Sequence, residues 1–182
     1  MQEYMRNNFP LKECPMQESL SIPNGLFCLK DRSIISVKGE GSDEFLQGLI
    51  TQDIKKLESE PALYGFFLNQ LGRYVMDVFI SKVDNVYYLD LPTDLVRTWV
   101  QKLNMYKLRR LLTIEWQEGL CVIATSNVDN LEQSTAHAFK DPRCDFIGFR
   151  CVLSSNLNKT VPEASEGVDF GVYYQALTDT GI

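Results

Sequence analysis

The chain has 182 residues, of which 45% are hydrophobic and 23% charged, and its formal net charge is -6. This composition is typical of one folded domain, or of one core with a partial second unit, and no segment approaches the roughly 18 apolar residues of a membrane span. The acidic balance disfavours nonspecific binding to nucleic acid, because such binding needs a clustered basic surface.

The cysteines predict neither a disulfide framework nor a zinc site. They are odd in number and contain no C-x-x-C pair: Cys14, Cys28, Cys121, Cys144 and Cys151. We expect small buried side chains in a reducing compartment, the cytoplasm of a bacterium or the mitochondrial matrix of a eukaryote. Charges interrupt the first twenty residues, so we also expect no secretory signal.

Taken in chain order, the patterns predict an irregular lead-in over 1–24, a first α+β subdomain over 25–118 and a second, C-terminally incomplete α+β subdomain over 119–182. LFCLKDRSIISVKG reads as two short β segments. Ser42 is a good helix N-cap and is followed by two acidic residues, so a short helix is expected in SDEFLQGLI. VDFGVYYQALTDTG is typical of a closing helix.

The middle of the chain predicts a β hairpin, a further strand and a longer helix. Asp84 and Asn85 mark a tight turn, and apolar residues recur at helical spacing from about Pro92 to Tyr106. Strands are expected in ALYGFFLN, RYVMDVFIS, VYYLDL, LLTIEWQE, LCVIAT and FIGFRCVL. This order predicts an α+β fold with mainly antiparallel sheets, split βαβ (ferredoxin-like) elements and helices on one side.

Strand alternation isolates one carboxylate. In RYVMDVFIS, Asp77 shares a face with Val75 and Phe79, where an ionised group must be solvated, paired or bound to a ligand. Two interpretations stay open: Asp77 pairs with Arg73 on a partly wet face, or it points into an apolar pocket and accepts paired hydrogen bonds from a ring edge such as a pterin. Tyr64, on the partner strand, either walls that pocket or belongs to ordinary sheet packing.

Basic residues are concentrated near the end of the longer helix. Lys102, Lys107, Arg109 and Arg110 either form a solvated helix end or contact a polyanion, such as a phosphate backbone or the glutamate tail of a folate. His137 is the only histidine, so no histidine-based metal site is expected, and its polar neighbours predict a surface position.

An ordered series of segments carries a family resemblance: SIISVKGEGSDEFLQGLITQDIKKL, ALYGFFLNQLGRYVMDVFI, KLNMYKLRRLLTI and DPRCDFIGFR. Together they resemble the YgfZ-type proteins, which include mitochondrial proteins that assist maturation of iron-sulfur enzymes. The series is similar, more distantly, to the aminomethyltransferase (GcvT) of the glycine cleavage system.

The resemblance implies a GcvT-like folate-binding fold with tetrahydrofolate as cofactor. Asp77 matches the aspartate that contacts folate and is essential for catalysis in the transferases, and Tyr64 matches a folate-contacting tyrosine. Met76 replaces the second acid usual in the transferases, and Pro92 lies near a position where they have asparagine, which favours the YgfZ-type assignment. The K-G-C-x-x-G-Q-E signature of that family does not occur, so no cysteine inherits its reactive role and the chain resembles a truncated form.

Three functions follow as hypotheses. The first is a tetrahydrofolate-binding accessory protein in iron-sulfur cluster assembly or repair, with a client or assembly protein as partner. The alternatives are an aminomethyltransferase and a noncatalytic protein-binding remnant. The family's link to modification of transfer RNA adds RNA as a partner, with Lys107, Arg109 and Arg110 as the contacts.

Overall fold

The computed structural model describes residues 26–126, 128, 135–143 and 148–154, so the expected lead-in and closing helix lie outside the described residues. The elements in chain order are β1 Leu26–Cys28, β2 Arg32–Lys38, α1 Ser42–Gln47, a 3₁₀ helix Ile54–Glu58, β3 Ala62–Leu68, β4 Tyr74–Val83, β5 Val86–Pro92, α2 Val96–Tyr106, β6 Thr113–Trp116, β7 Leu120–Thr125, β8 Thr135–Lys140 and β9 Phe149–Ser154.

The strands form two sheets, a five-stranded sheet in the order β3-β4-β5-β2-β6 and a four-stranded sheet in the order β1-β7-β9-β8. Every described strand pair is antiparallel. Since β5 and β6 both pair antiparallel with β2, they run parallel to each other and α2 connects them. This is the expected split βαβ element, and the predicted fold class is confirmed.

The five-stranded sheet is covered on both faces. Both helices pack on one face through α1 residues such as Leu46 and α2 residues such as Trp99 and Leu103. The four-stranded sheet covers the other face, where Ile34 of β2 meets Val122 and other residues of β7 and β9. Because β2 is central and covered on both sides, its sequence reads as a nearly continuous apolar run.

Two turns determine how neighbouring elements enter this core. Asp84 and Asn85 have φ values of 49° and 61°, as a two-residue turn between twisted strands requires, so the predicted turn is confirmed. The N-cap of α1 is Gly41, at φ 77°, and the Ser42 hydroxyl donates to the Gly39 carbonyl oxygen at 2.7 Å. The prediction that Ser42 caps this helix is therefore wrong, because its hydroxyl is used to close the preceding turn.

A β-bulge in β4 changes which side chains share the face of Asp77. Phe67 pairs with Met76, but Leu68 pairs with Tyr74, so Val75 is the extra residue. Val75 packs against the helix-side core, and the prediction that it lies beside Asp77 is wrong. The bulge instead carries Tyr74 to the Asp77 side, where its ring centroid lies 5.6 Å from that of Phe66.

Candidate functional site between the two sheets

Asp77 lies on the face of β4 that points toward the four-stranded sheet, and it is anchored by an arginine from another strand. Its Oδ1 accepts a hydrogen bond from Nη1 of Arg32 at 2.9 Å, and 20% of its side chain is exposed. The interpretation that Asp77 pairs with Arg73 is wrong, because Arg32 reaches it from β2 across the intervening β5. Among the described residues no group donates to the second oxygen of Asp77.

Arg32 also binds Asp90, which is the centre of the network. The Asp90 Oδ1 accepts from Nε of Arg32 at 2.6 Å, and its Oδ2 accepts from Nε and Nη2 of Arg150 at 3.0 and 2.6 Å. Burial pushes the pKa of Asp90 up, but the charges of Arg150 and Arg32 outweigh that effect and hold this pKa below its ordinary value. Burial lowers the pKa of Arg32, and Asp90 and Asp77 raise it by more than that, so Arg32 stays protonated.

The network continues into the loop after β8. Asp141 lies 3.8 Å from Arg150 and accepts two hydrogen bonds from the Arg143 guanidinium at 3.0 and 2.8 Å. The resulting series alternates in charge: Asp77, Arg32, Asp90, Arg150, Asp141, Arg143. Within the described residues, three carboxylates of this series are paired with three guanidinium groups. Such pairing offsets the cost of burying charges between two packed sheets, which is on the order of several kcal/mol per ion.

Aromatic rings border this network. The Phe79 ring centroid lies 3.9, 4.8 and 5.5 Å from the guanidinium carbons of Arg150, Arg143 and Arg32. Tyr64 packs 4.8 Å from Phe79, and burial, followed by the charge of Asp77, raises the pKa of its phenol. The site therefore places the Asp77 carboxylate next to aromatic rings that are stacked with guanidinium groups.

Tyr64 and Arg143 also line an open pocket of about 390 Å³ between the 3₁₀ helix and the Pro142 turn. Asp77 is not among its lining residues, which are Gln52, Lys56, Glu60, Leu63, Tyr64, Pro142 and Arg143. The structure thus brings Tyr64 and Asp77 to one sheet face, while the pocket opens on the Tyr64 side of that face.

His137 lies on β8, a strand that the sequence patterns missed. Its Nε2 is 2.6 Å from the Ser81 hydroxyl oxygen, and its ring lies between those of Tyr88 and Phe139, at centroid distances of 4.9 and 5.9 Å. The predicted surface position is wrong, because β8 turns this ring toward the five-stranded sheet, where it contacts Ser81 and Tyr88. Burial lowers the pKa of His137 to about 4.

The basic residues of α2 and of the segment after it differ in their contacts. The Lys107 Nζ donates to the Leu112 carbonyl oxygen at 2.7 Å, and the Lys102 Nζ lies 5.1 Å from the Trp99 ring centroid. Arg109 and Arg110 are exposed. Contact with a polyanion remains a prediction. Of the described basic residues in this cluster, Arg109 and Arg110 are the two whose side chains are exposed.

A second, larger groove of about 810 Å³ lies on the helix side of the five-stranded sheet. Residues of α2, of the segment after α1 and of the β3–β4 turn line it, among them Trp99, Lys102, Tyr106, Ile50 and Leu71. It is separate from the site around Asp77, which faces the other sheet.

Three of the cysteines fall within the described residues, all as free thiols. Burial raises the pKa of Cys28, that of Cys121 to about 11 and that of Cys151 to about 12. Cys151 is buried and the other two are partly so, while Cys14 and Cys144 lie outside the described residues. In the part of the chain that the structure describes, no three His, Cys, Asp or Glu residues are grouped as metal ligands, and no helix has the length and apolar character to cross a membrane.

Sequence reasoning missed most of the charged network, although one signal was present. Asp90 follows Leu89 and Tyr88 and precedes Leu91 in β5, so it is a lone carboxylate in an apolar strand, as Asp77 is in β4. The alternation argument that selected Asp77 would also have selected Asp90. Arg150, Asp141 and Arg143 had no comparable signal, because their partners lie on distant segments.

A solved structure has a similar fold. The fold is similar to the crystal structure of the glycine cleavage system aminomethyltransferase T from Bartonella henselae, with a TM-score of 0.61 and 17% identity over 79% of this chain and 45% of that one. No protein-family model matches the chain.

Two kinds of curated relatives match the sequence. The mitochondrial iron-sulfur cluster assembly factor IBA57 of Mus musculus is 28% identical over 86% of this chain and 50% of its own length. An IBA57 homologue of Pyricularia oryzae is 28% identical over 75% of this chain and 37% of its own length. An aminomethyltransferase of Caldanaerobacter subterraneus is 40% identical over 65 residues, which are 36% of this chain and 17% of that protein.

The chain therefore has a GcvT-like fold, that of a glycine cleavage aminomethyltransferase. In sequence it is similar to the IBA57 iron-sulfur cluster assembly factors over most of its own length. The chain spans about half the length of the mouse relative, 50%.

Proposed function

We propose that this chain binds a tetrahydrofolate on the sheet face around Asp77 and Tyr64 and acts as an accessory protein in iron-sulfur cluster assembly or repair. One observation carries the ligand proposal. Arg32 fixes one oxygen of Asp77 at 2.9 Å, while the other has no donor among the described residues and the side chain stays 20% exposed.

A carboxylate held in this way suits a flat ring with adjacent N–H donors. The edge of a pterin presents two such donors side by side, which two carboxylate oxygens can accept together, and Oδ1 keeps an acceptor site beside Arg32. Tyr64 and Phe79 supply ring faces next to the carboxylate. Arg143, 5.5 Å from the Tyr64 ring and paired with Asp141, borders the neighbouring pocket.

Isothermal titration with tetrahydrofolate tests the site through Asp77→Asn. The variant keeps the size of the side chain but replaces an acceptor oxygen with a donor amide, so we expect affinity to fall about tenfold to a hundredfold, the loss of one charge-assisted pair. Asp84→Asn is the matched control, because Asp84 is exposed in the β4–β5 turn and the substitution changes the net charge by the same amount. Equal affinity in all three proteins, each shown to be folded by circular dichroism, would reject the site.

The cellular role rests on the relatives named as iron-sulfur cluster assembly factors. In cells lacking the endogenous family member, the full-length wild-type gene should restore the activity of iron-sulfur enzymes and the Asp77→Asn gene should not. In a eukaryotic source we expect the protein in the mitochondrial matrix, because those relatives are named as mitochondrial. If both genes restore these activities, the protein acts in iron-sulfur cluster assembly without needing folate bound at Asp77.

An aminomethyltransferase is the second candidate, supported by short matches to two bacterial enzymes. Met76, at the position where the resemblance to aminomethyltransferases implies a second acid, is 1% exposed and packs in the helix-side core. We therefore expect no turnover in a glycine cleavage assay supplied with the other components. Absence of both turnover and folate binding would favour the noncatalytic protein-binding role. Any contact with transfer RNA would then be made through Arg109 and Arg110.

A further inference from the structure

The last residues of α2 and the segment after it expose large apolar side chains beside arginines. Met105, Leu108 and Leu111 are 61%, 80% and 90% exposed, and Arg109 and Arg110 lie between the two leucines in sequence. We call residues 105–111 the basic leucine loop. Three such side chains within seven residues form a local apolar surface, and exposed apolar patches rimmed by polar groups often mark interaction sites.

Leu108 occupies a backbone conformation that suits glycine. Its φ is 52°, in the left-handed region, and it follows Lys107, the C-cap of α2. Glycine or asparagine is usual at this position, because a larger side chain crowds its own backbone there. Leu108 is therefore a strained leucine whose side chain is 80% exposed. Packing against the described residues does not account for a leucine here, whereas burial against a partner would.

The charge of the loop is opposite to that of the chain as a whole. The net charge is -6, yet the two arginines of the loop are exposed and have no ion-pair partner among the described residues. The Arg110 guanidinium carbon lies 5.8 Å from the Phe45 ring centroid, which keeps it against the body of the protein. Lys107 is not available, since it donates to the Leu112 carbonyl oxygen.

We propose that the basic leucine loop docks an acidic protein partner, through a segment in which apolar side chains alternate with carboxylates. Arginine and exposed apolar side chains at one spot are typical of the centre of protein interfaces. A phosphate backbone would pair with the arginines but leave the leucines in water. An anionic membrane would be repelled by the acidic remainder of the chain, and few apolar side chains are available for insertion.

The neighbouring groove extends the same surface. Lys102 and Tyr106 of α2 line the groove of about 810 Å³, and Leu71 of the β3–β4 turn, 76% exposed, lines it as well. A helical partner segment that contacts the loop can therefore continue along α2. This surface lies on the helix side of the five-stranded sheet, away from Asp77, and does not depend on the proposed folate site.

Leu108→Gly separates a docking role from a structural one. Glycine relieves the left-handed strain, so the variant should melt about 2 to 4 °C higher than wild type, while loss of the side chain should weaken partner binding about tenfold. The probe is a fluorescent synthetic helical peptide with leucines at three- and four-residue spacing between glutamates. A variant that is more stable and binds the peptide as tightly as wild type would overturn the proposal.

The charge contribution is measured with the same peptide and with Arg109→Glu. We expect at least tenfold weaker binding than wild type, and little change for Lys55→Glu, an exposed lysine of the 3₁₀ helix that gives the same change in net charge. Single-stranded RNA and vesicles containing phosphatidylglycerol serve as competing probes. Tighter binding to either of them than to the peptide would reject an acidic protein as the partner, and tetrahydrofolate titration should be unaffected by both loop variants.

Discussion

Replacing Asp90 with asparagine tests whether the charged network between the sheets stabilises the fold. Asp90 is 3% exposed and accepts hydrogen bonds from Arg32 and Arg150 at 2.6 to 3.0 Å. In Asp90→Asn both guanidinium groups stay buried, but each loses the negative charge of Asp90. Removing one partner of a buried ion pair costs about 3 to 5 kcal/mol, and we expect about 3 kcal/mol because the amide oxygen still accepts one hydrogen bond.

For a chain of this length that loss corresponds to a melting temperature about 6 to 12 °C lower. Differential scanning calorimetry and urea unfolding both measure it. Asp84→Asn, in the exposed β4–β5 turn, should change stability by less than about 0.5 kcal/mol. The double variant Asp90→Asn, Arg150→Met also removes the Arg150 charge that Asp90 compensates. The double variant should therefore lose less stability than the two single variants together. A cost below about 1 kcal/mol for Asp90→Asn would refute the view that burial makes this pairing essential.

The remaining predictions concern titration and thiol chemistry. Burial lowers the pKa of His137 to about 4, below its ordinary value of 6.5, so the unfolded chain binds the proton first and stability should be complete above pH 6.5 and fall toward pH 4. We expect the free energy of unfolding to fall by about 1 to 2 kcal/mol over this range, a value reduced because the ring is partly exposed. In His137→Gln the free energy of unfolding should depend less on pH. The same pH dependence in that variant as in the wild type would contradict the assignment to His137. Burial raises the pKa of Cys151 to about 12, so peptide mass spectrometry should find it unmodified by iodoacetamide at pH 8 in the folded protein and alkylated in urea. Equal alkylation in both states would show that the thiol is accessible.

Local patterns were sufficient for most of the described elements and for placing Asp77 and Phe79 on one face of β4. Apolar alternation predicted the hairpin of β3 and β4, and the Asp84–Asn85 pair predicted its tight turn with β5, because both depend on neighbours in sequence. The same reasoning failed at Val75, where a bulge inserts one extra residue and reverses which side chain faces Asp77. It also failed at His137, because a short strand at the edge of a sheet is too brief for its period to stand out among polar residues.

The amino-acid sequence by itself determined the α+β class, the family resemblance and the identity of Asp77 and Tyr64 as candidates, because these follow from periodicity, turn residues and ordered local motifs. Only the tertiary structure decided what surrounds them. Arg32 meets Asp77 from 45 residues away, and Arg150 meets Asp90 from 60 residues away. Such pairings arise when two sheets close over charged groups, which cannot remain buried unless a distant segment supplies the opposite charge.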